Sequence, residues 1–114
     1  VYNPMSCKTH LQGEKKFAEE GYNFPSSTGH AICNRDRWMV SQVDVLFADF
    51  SGTERVSIGM TMELAWASLL GKHTVIVLPK GNVHEHAFIK ESANIVFETY
   101  DEAIRYLLEL AGVL

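Results

Sequence analysis

"VDVLFADFSGTERVSIGMTMELAWASLLGKHTVIVLP", residues 43–79, is the stretch on which the fold turns. Its first eight residues, 43–50, are apolar with few polar breaks. So are residues 73–79, which Pro79 brings to a stop. Runs of this kind mark strands covered on both sides, as in a parallel sheet. Between them, about residues 58–70, Ile58, Met62, Leu64, Trp66, Leu69 and Leu70 crowd what reads as a buried helix. Gly71 then stands where helices stop. Strand, helix and strand in that order predict a parallel βαβ unit.

Working outward, residues 30–42 are regular enough for a helix, with Ile32, Trp38 and Met39 near one face and Asp36 and Arg37 beside them. Beyond Pro79 come a loop at 80–85, a short helix near 86–92 and a third strand at 94–98. Thr99-x-x-Glu102 fits a capping box, and Ala103, Ile104, Leu107, Leu108 and Ala111 supply the apolar stripe of a last helix. Residues 3–28 are rich in Gly, Ser, Asn, Pro and Lys. They read as a long loop with a turn of helix near residues 14–20, and loops of that length are usually functional. "VYNP", residues 1–4, looks like the end of a strand running into a turn, so a first strand is expected ahead of it, missing from this chain.

The chain of 114 residues suits one domain, 1–114, N-terminally incomplete on this reading. Hydrophobic residues make up 46% and charged residues 21%, which argues against disorder. A net charge of −4 without a basic run argues against wrapping nucleic acid, although a small anion could bind locally. No apolar run approaches the roughly 20 residues that span a bilayer, and no signal peptide is visible. Cys7 and Cys33 have no CxxC spacing and read as free thiols in a reducing cytoplasm. His84-x-His86 lacks the accompanying ligands of a metal site, so no metal is expected. A solvated or substrate-facing loop is the better reading.

Glu63 is the odd residue in the apolar helix, because an ionised carboxylate among apolar neighbours is costly unless paired. Either it lies on a solvated stripe, or it reaches back toward the carboxyl edge of the sheet, where ligands bind in such folds. The other residues on its face are Gly59, Met60, Trp66 and Ala67, which is not a polar set. Ser57 and Gly59, with Ser51-Gly52-Thr53, form a candidate cradle for an anion or a ribose hydroxyl. Ser57 reads equally well as a plain helix cap. Asp49, near the end of its strand, faces the same crevice. Asp36 is either a site residue or an exposed partner of Arg35 or Arg37. There is no Walker lysine and no GxGxxG, and no nucleophilic triad can be assembled from these spacings.

At "RDRWMVSQVDVLFADFSGTERVSIGMTMELAWASLLGKHTVIVLP", residues 35–79, the chain resembles the nucleoside 2-deoxyribosyltransferase family, which includes hydrolases of deoxynucleoside 5′-monophosphates. The resemblance rests on Asp36, the Asp44-Val45 strand, Ser57-x-Gly59-x-x-x-Glu63-Leu64 and the strand ending at Pro79, and extends over about residues 1–110. It implies a doubly wound, flavodoxin-like parallel sheet with helices on both faces. It also implies a cytoplasmic enzyme of nucleotide salvage without a cofactor, acting on a nucleoside or nucleotide.

In that family a Glu at the position of Glu63 attacks C1′ to form a glycosyl-enzyme, and an Asp at the position of Asp36 handles the base. Asp49, Ser51, Gly52, Ser57, Gly59 and Met60 would then line the substrate. A supporting Tyr belongs to the first strand and has no counterpart to assign here. Typical transferases carry Asp where this chain has Ser57, and Ser there tilts the substrate toward a 5′-phosphate, which a carboxylate would repel. The loop "GNVHEHAFIKES" matches a region that enters a neighbouring subunit's site, with His86 about where a phosphate contact arises. A homodimer or dimer-based assembly is therefore expected. The alternatives are a non-catalytic nucleotide sensor on the same scaffold, or an NAD glycohydrolase.

Overall fold

A computed structural model describes residues 28–114. The end of a strand at 1–4, most of the loop at 3–28 with its turn of helix, and Cys7 lie outside the described residues. The chain divides between Val43 and Asp44 into two units.

In the first unit, α1 spans Gly29–Gln42. Thr28 caps it, its hydroxyl accepting the Ala31 N–H at 3.0 Å. The buried residues are Ile32, Asp36 and Val40, spaced four apart along one side. The expected face of Ile32, Trp38 and Met39 is thus corrected. Trp38 is 54% exposed, and Val40 takes the inward position. The step of four from Ile32 selects the buried line, and Trp38 falls off it by about half a turn.

In the second unit, β1 (Val45–Asp49), β2 (His73–Val77) and β3 (Ile95–Phe97) form a parallel sheet in the order β1-β2-β3. Val45 pairs with His73 and Asp49 with Val77 along β1 and β2, while Val75 pairs with Ile95 and Val77 with Phe97 along β2 and β3. The helices are α2 (Ile58–Leu69), α3 (Ala87–Ser92) and α4 (Tyr100–Leu110). The strand–helix alternation read from residues 43–110 is therefore the architecture, a parallel sheet flanked by helices.

Each face of the sheet has its own core. Ala48, Phe50, Ile76 and Leu78 meet Leu64 of α2 and Ile89 of α3 on one side. Val75 and Val77 meet Ala103 of α4 on the other, with Val45, Phe47, Ile95, Phe97, Tyr106 and Leu107 packed around them. Side chains alternate along a strand, so β2 serves both cores and Thr74 through Leu78 are all buried. Each fully buried Phe, Leu or Ile contributes about 1.5–3 kcal/mol by leaving water.

Turn chemistry sets the helix ends. Gly71 has a φ of 73°, and the Gly71 N–H to Ser68 carbonyl (3.1 Å) and Lys72 N–H to Ala67 carbonyl (2.9 Å) bonds close α2 in a Schellman motif. Thr99 caps α4 by accepting the Glu102 N–H at 3.3 Å, and its hydroxyl donates to the Glu102 carboxylate at 2.8 Å. The stripe expected on α4 is shifted. Ala103, Tyr106 and Leu107 face the core, whereas Leu108 and Ala111 are exposed. Tyr106 goes inward because its hydroxyl meets the His73 Nε2 at 2.6 Å and its ring packs on Phe97.

At the amino ends of β2 and β3, Thr74 and Asn94 bond to one another. The Thr74 N–H donates to the Asn94 Oδ1 at 2.8 Å, and the Asn94 N–H donates to the Thr74 Oγ1 at 2.8 Å.

Candidate functional site

The carboxyl ends of β1 and β2 open into two loops, residues 50–57 and 78–86; Ser51, Gly52, Ser57 and His86 lie in them, and Gly59, Met60 and Glu63 lie on the helix that follows the first. Asp49 ends β1. Its Oδ1 accepts the Ser51 N–H at 2.9 Å and the Ser51 hydroxyl at 2.5 Å, so the two are brought together and fold the loop's first turn. Gly52 follows, exposed and with a left-handed backbone at a φ of 73°.

Ser57 is the N-cap of α2, its side chain accepting the Met60 N–H at 3.3 Å. The hydroxyl proton stays available to an outside acceptor, so capping and ligand contact are compatible in one residue. Gly59 is helical and exposed, and a Cβ placed on it would meet nothing within 4 Å. Packing therefore gives no reason for a residue that costs a helix about 1 kcal/mol relative to Ala. Open approach to the backbone is what the glycine provides. Gly59→Ala should raise stability by about 0.5–1 kcal/mol and weaken ligand binding, checked by urea midpoint against ligand titration. Unchanged binding would leave Gly59 without a role at the site.

Glu63 is half-buried on the second turn of α2, six residues past Ser57. Met60, three residues earlier, packs against the core beneath it, and Ala67, four residues later, is fully buried. Met60 is therefore anchored in the core rather than free to move with a ligand. In the first unit, Asp36 is buried rather than exposed, and the Arg35 guanidinium lies 3.3 Å from its carboxylate.

His86 is exposed and caps α3. Its Nδ1 accepts the Phe88 N–H at 3.0 Å, and its ring meets Phe88 edge-on. His84 behaves quite differently, and the expectation of a solvated or substrate-facing loop residue is corrected for it. Only 3% of it is exposed, and its ring lies 4.4 Å from that of Phe50. Its Nε2 accepts the Ser57 N–H at 2.6 Å, and its Nδ1 lies 2.9 Å from the Asn82 Oδ1 and 3.4 Å from the Thr53 hydroxyl. An amide oxygen can only accept, so Nδ1 carries the proton and the ring is the neutral Nδ1–H tautomer. Asn82 and Thr53 both donate to the Phe50 carbonyl, each at 2.7 Å.

Burial pushes the His84 pKa below its usual 6.5. The unfolded chain then binds the extra proton first, so this contribution to stability is full above about pH 6.5 and is lost as pH falls toward the lowered folded value. Among the described residues, no three His, Cys, Asp or Glu side chains gather as a metal site would require. No described helix is long and apolar enough to cross a membrane.

No family model matches the chain, and no curated protein sequence matches it. Among solved structures, the CMP N-glycosidase BcmB of Clostridium botulinum is similar in fold. It has 20% sequence identity and a TM-score of 0.55 over 96% of this chain and 92% of that one.

Proposed function

We propose that the chain cleaves the N-glycosidic bond of nucleoside 5′-monophosphates, or of the parent (deoxy)nucleosides, through a covalent glycosyl-Glu63 intermediate. The observation that carries this reading is the build of α2. An unhindered Gly59 and a capping Ser57 open its first turn, and a half-buried carboxylate follows on the second. The fold shared with a CMP N-glycosidase supports it.

In the reaction, a Glu63 oxygen attacks C1′ and the C1′–N bond breaks. The base leaves with its electron pair and takes a proton from a general acid. Water, or a second base, then attacks C1′ and returns Glu63 as the carboxylate, which gives hydrolysis or transfer respectively. Ser57 and the first amides of α2 take the 5′-phosphate, favoured by the positive end of the helix dipole. Asp49 orders the turn at Ser51-Gly52, which borders the sugar. The active assembly is a homodimer or is built from dimers, with the loop bearing the exposed His86 reaching a neighbour's site.

Free cytosine released from CMP or dCMP, measured by chromatography, tests the reading. Adding a second free base separates the outcomes, because a new nucleotide means transfer. The same substrate without its phosphate should react about tenfold or more slowly, the loss of one or two charge-assisted hydrogen bonds. An equal rate would remove the phosphate from the proposal. No base release from any nucleoside or nucleotide, with binding intact, would favour the sensor reading.

A further inference from the structure

We propose that His84 is a positioning residue of this site. Its neutral imidazole ties the first turn of α2, which carries Ser57 and Gly59, to the carboxyl end of β1. The inference rests on the function proposed above, but the geometry that supports it is independent of any substrate.

The connection is continuous. From the Phe50 carbonyl at the end of β1 it runs through the Asn82 side chain to His84 Nδ1, across the ring, and from Nε2 to the Ser57 N–H. The backbone N–H of His84 also donates to the Asn82 Oδ1 at 2.9 Å, so the loop is held at two points. The first N–H groups of a helix have no acceptor within it. His84 takes the one on Ser57, and the Ser57 hydroxyl takes that of Met60. A side chain 27 residues away thus holds one donor of the helix end.

Only one charge state does this. A proton on Nε2 would face the Ser57 N–H donor to donor, and the bond would be lost. The imidazole's three partners, the Ser57 amide, Asn82 and Thr53, are all uncharged. The charged groups on the elements around it are engaged, half-buried or exposed. At the end of β1, Asp49 is held by Ser51. In the loop to α2, Glu54 and Arg55 are exposed. Glu63 lies a turn and a half along α2, half-buried. In His84's own loop, Lys80, Glu85 and His86 are exposed, with Glu85 paired to Lys90 at 3.6 Å. With its hydrogen bonds directed to neutral groups, the ring gains nothing from a positive charge that burial makes costly. Acidification would release the first turn of α2 and weaken the site.

CMP titrations of the full chain, followed by NMR, test this at about pH 7.5 and about pH 5. Three proteins are compared: wild type, His84→Gln and His84→Leu. Glutamine keeps an oxygen acceptor near the Nε2 position and does not titrate, whereas leucine fills the space and accepts nothing. The phosphate itself gains a proton near pH 6, which weakens binding to every variant alike, so the comparison with His84→Gln isolates the imidazole.

The expected result is that wild type loses about tenfold more affinity on acidification than His84→Gln. The glutamine variant should bind like wild type at neutral pH, and the leucine variant weakly at both. Parallel losses in wild type and His84→Gln, or full affinity in His84→Leu, would overturn the proposal. Should CMP bind none of the three, the nucleotide reading fails by itself, and the Ser57 amide resonance decides the role of His84. Its shift titrating in wild type and staying fixed in His84→Gln upholds the tie to α2, and a shift that ignores pH in wild type refutes it.

Discussion

Replacing Glu63 by glutamine should lower release of base from CMP or dCMP by roughly 10³- to 10⁶-fold, the range seen when a covalent nucleophile is removed. The amide is nearly isosteric and keeps a hydrogen-bonding oxygen, but it carries no charge and attacks carbon poorly. Two supporting readouts keep a loss of activity from being mistaken for misfolding. The far-ultraviolet circular dichroism should be unchanged, because Glu63 is only half-buried on a helix held by Leu64 and Ala67. CMP should still bind, because Ser57, Gly59 and the amides of the first turn remain. Retention of more than about a tenth of wild-type turnover would move the nucleophile elsewhere. With the native residue, rapid quenching and mass spectrometry should find a pentose phosphate on the peptide containing Glu63.

The second large effect is on stability. Phe50→Ala should cost about 3–5 kcal/mol, read as a fall in the urea midpoint with little change in slope. Phe50 is fully buried in the core shared by β1, β2, α2 and α3, and its ring also lies against His84. Truncation removes the ring from both and leaves a cavity lined by Leu64, Ile76 and Ile89, residues held in place by strands and helices that cannot easily collapse inward. Phe88→Ala is the matched control. It is 79% exposed and should change stability by about 0.5 kcal/mol or less. A cost at Phe50 below about 1 kcal/mol would mean that the core around it repacks freely.

What could be read from the sequence was what is local. The ends of α2 and the cap of α4 depend on residues within five positions of one another, as the Schellman bonds at Gly71 and the Thr99–Glu102 cap show. The same is true of Asp49 with Ser51 and of Ser57 with Met60. What escaped reading depends on distant partners. Tyr106 turns inward for His73, 33 residues earlier in the chain, and no helical wheel contains that residue. His84 is buried because Ser57 and Thr53 meet it across 27 and 31 residues. The one local sign was Asn82-x-His84, since an Asn side chain commonly holds the backbone two positions on. Trp38 was grouped with Ile32 and Met39 by helical spacing, while the step of four along α1 gave the buried line to Ile32, Asp36 and Val40.

The Thr74–Asn94 pair has a consequence for how the sheet avoids assembling wrongly. A half-buried strand announces its alignment, since sliding by one residue turns its greasy side to water. β2 has no such side, because Val75, Ile76, Val77 and Leu78 are all enclosed, and a slipped version would still look apolar to both cores. Thr74 and Asn94 remove that ambiguity. Each donates its backbone N–H to the other's side chain, and a slip by one residue would part both bonds and leave the fully buried Thr74 without its partner. Two small polar side chains thus act as an index mark for an otherwise unmarked strand. They fix where Val77 and Leu78 end, and with them the edge from which the Asn82–His84 loop departs.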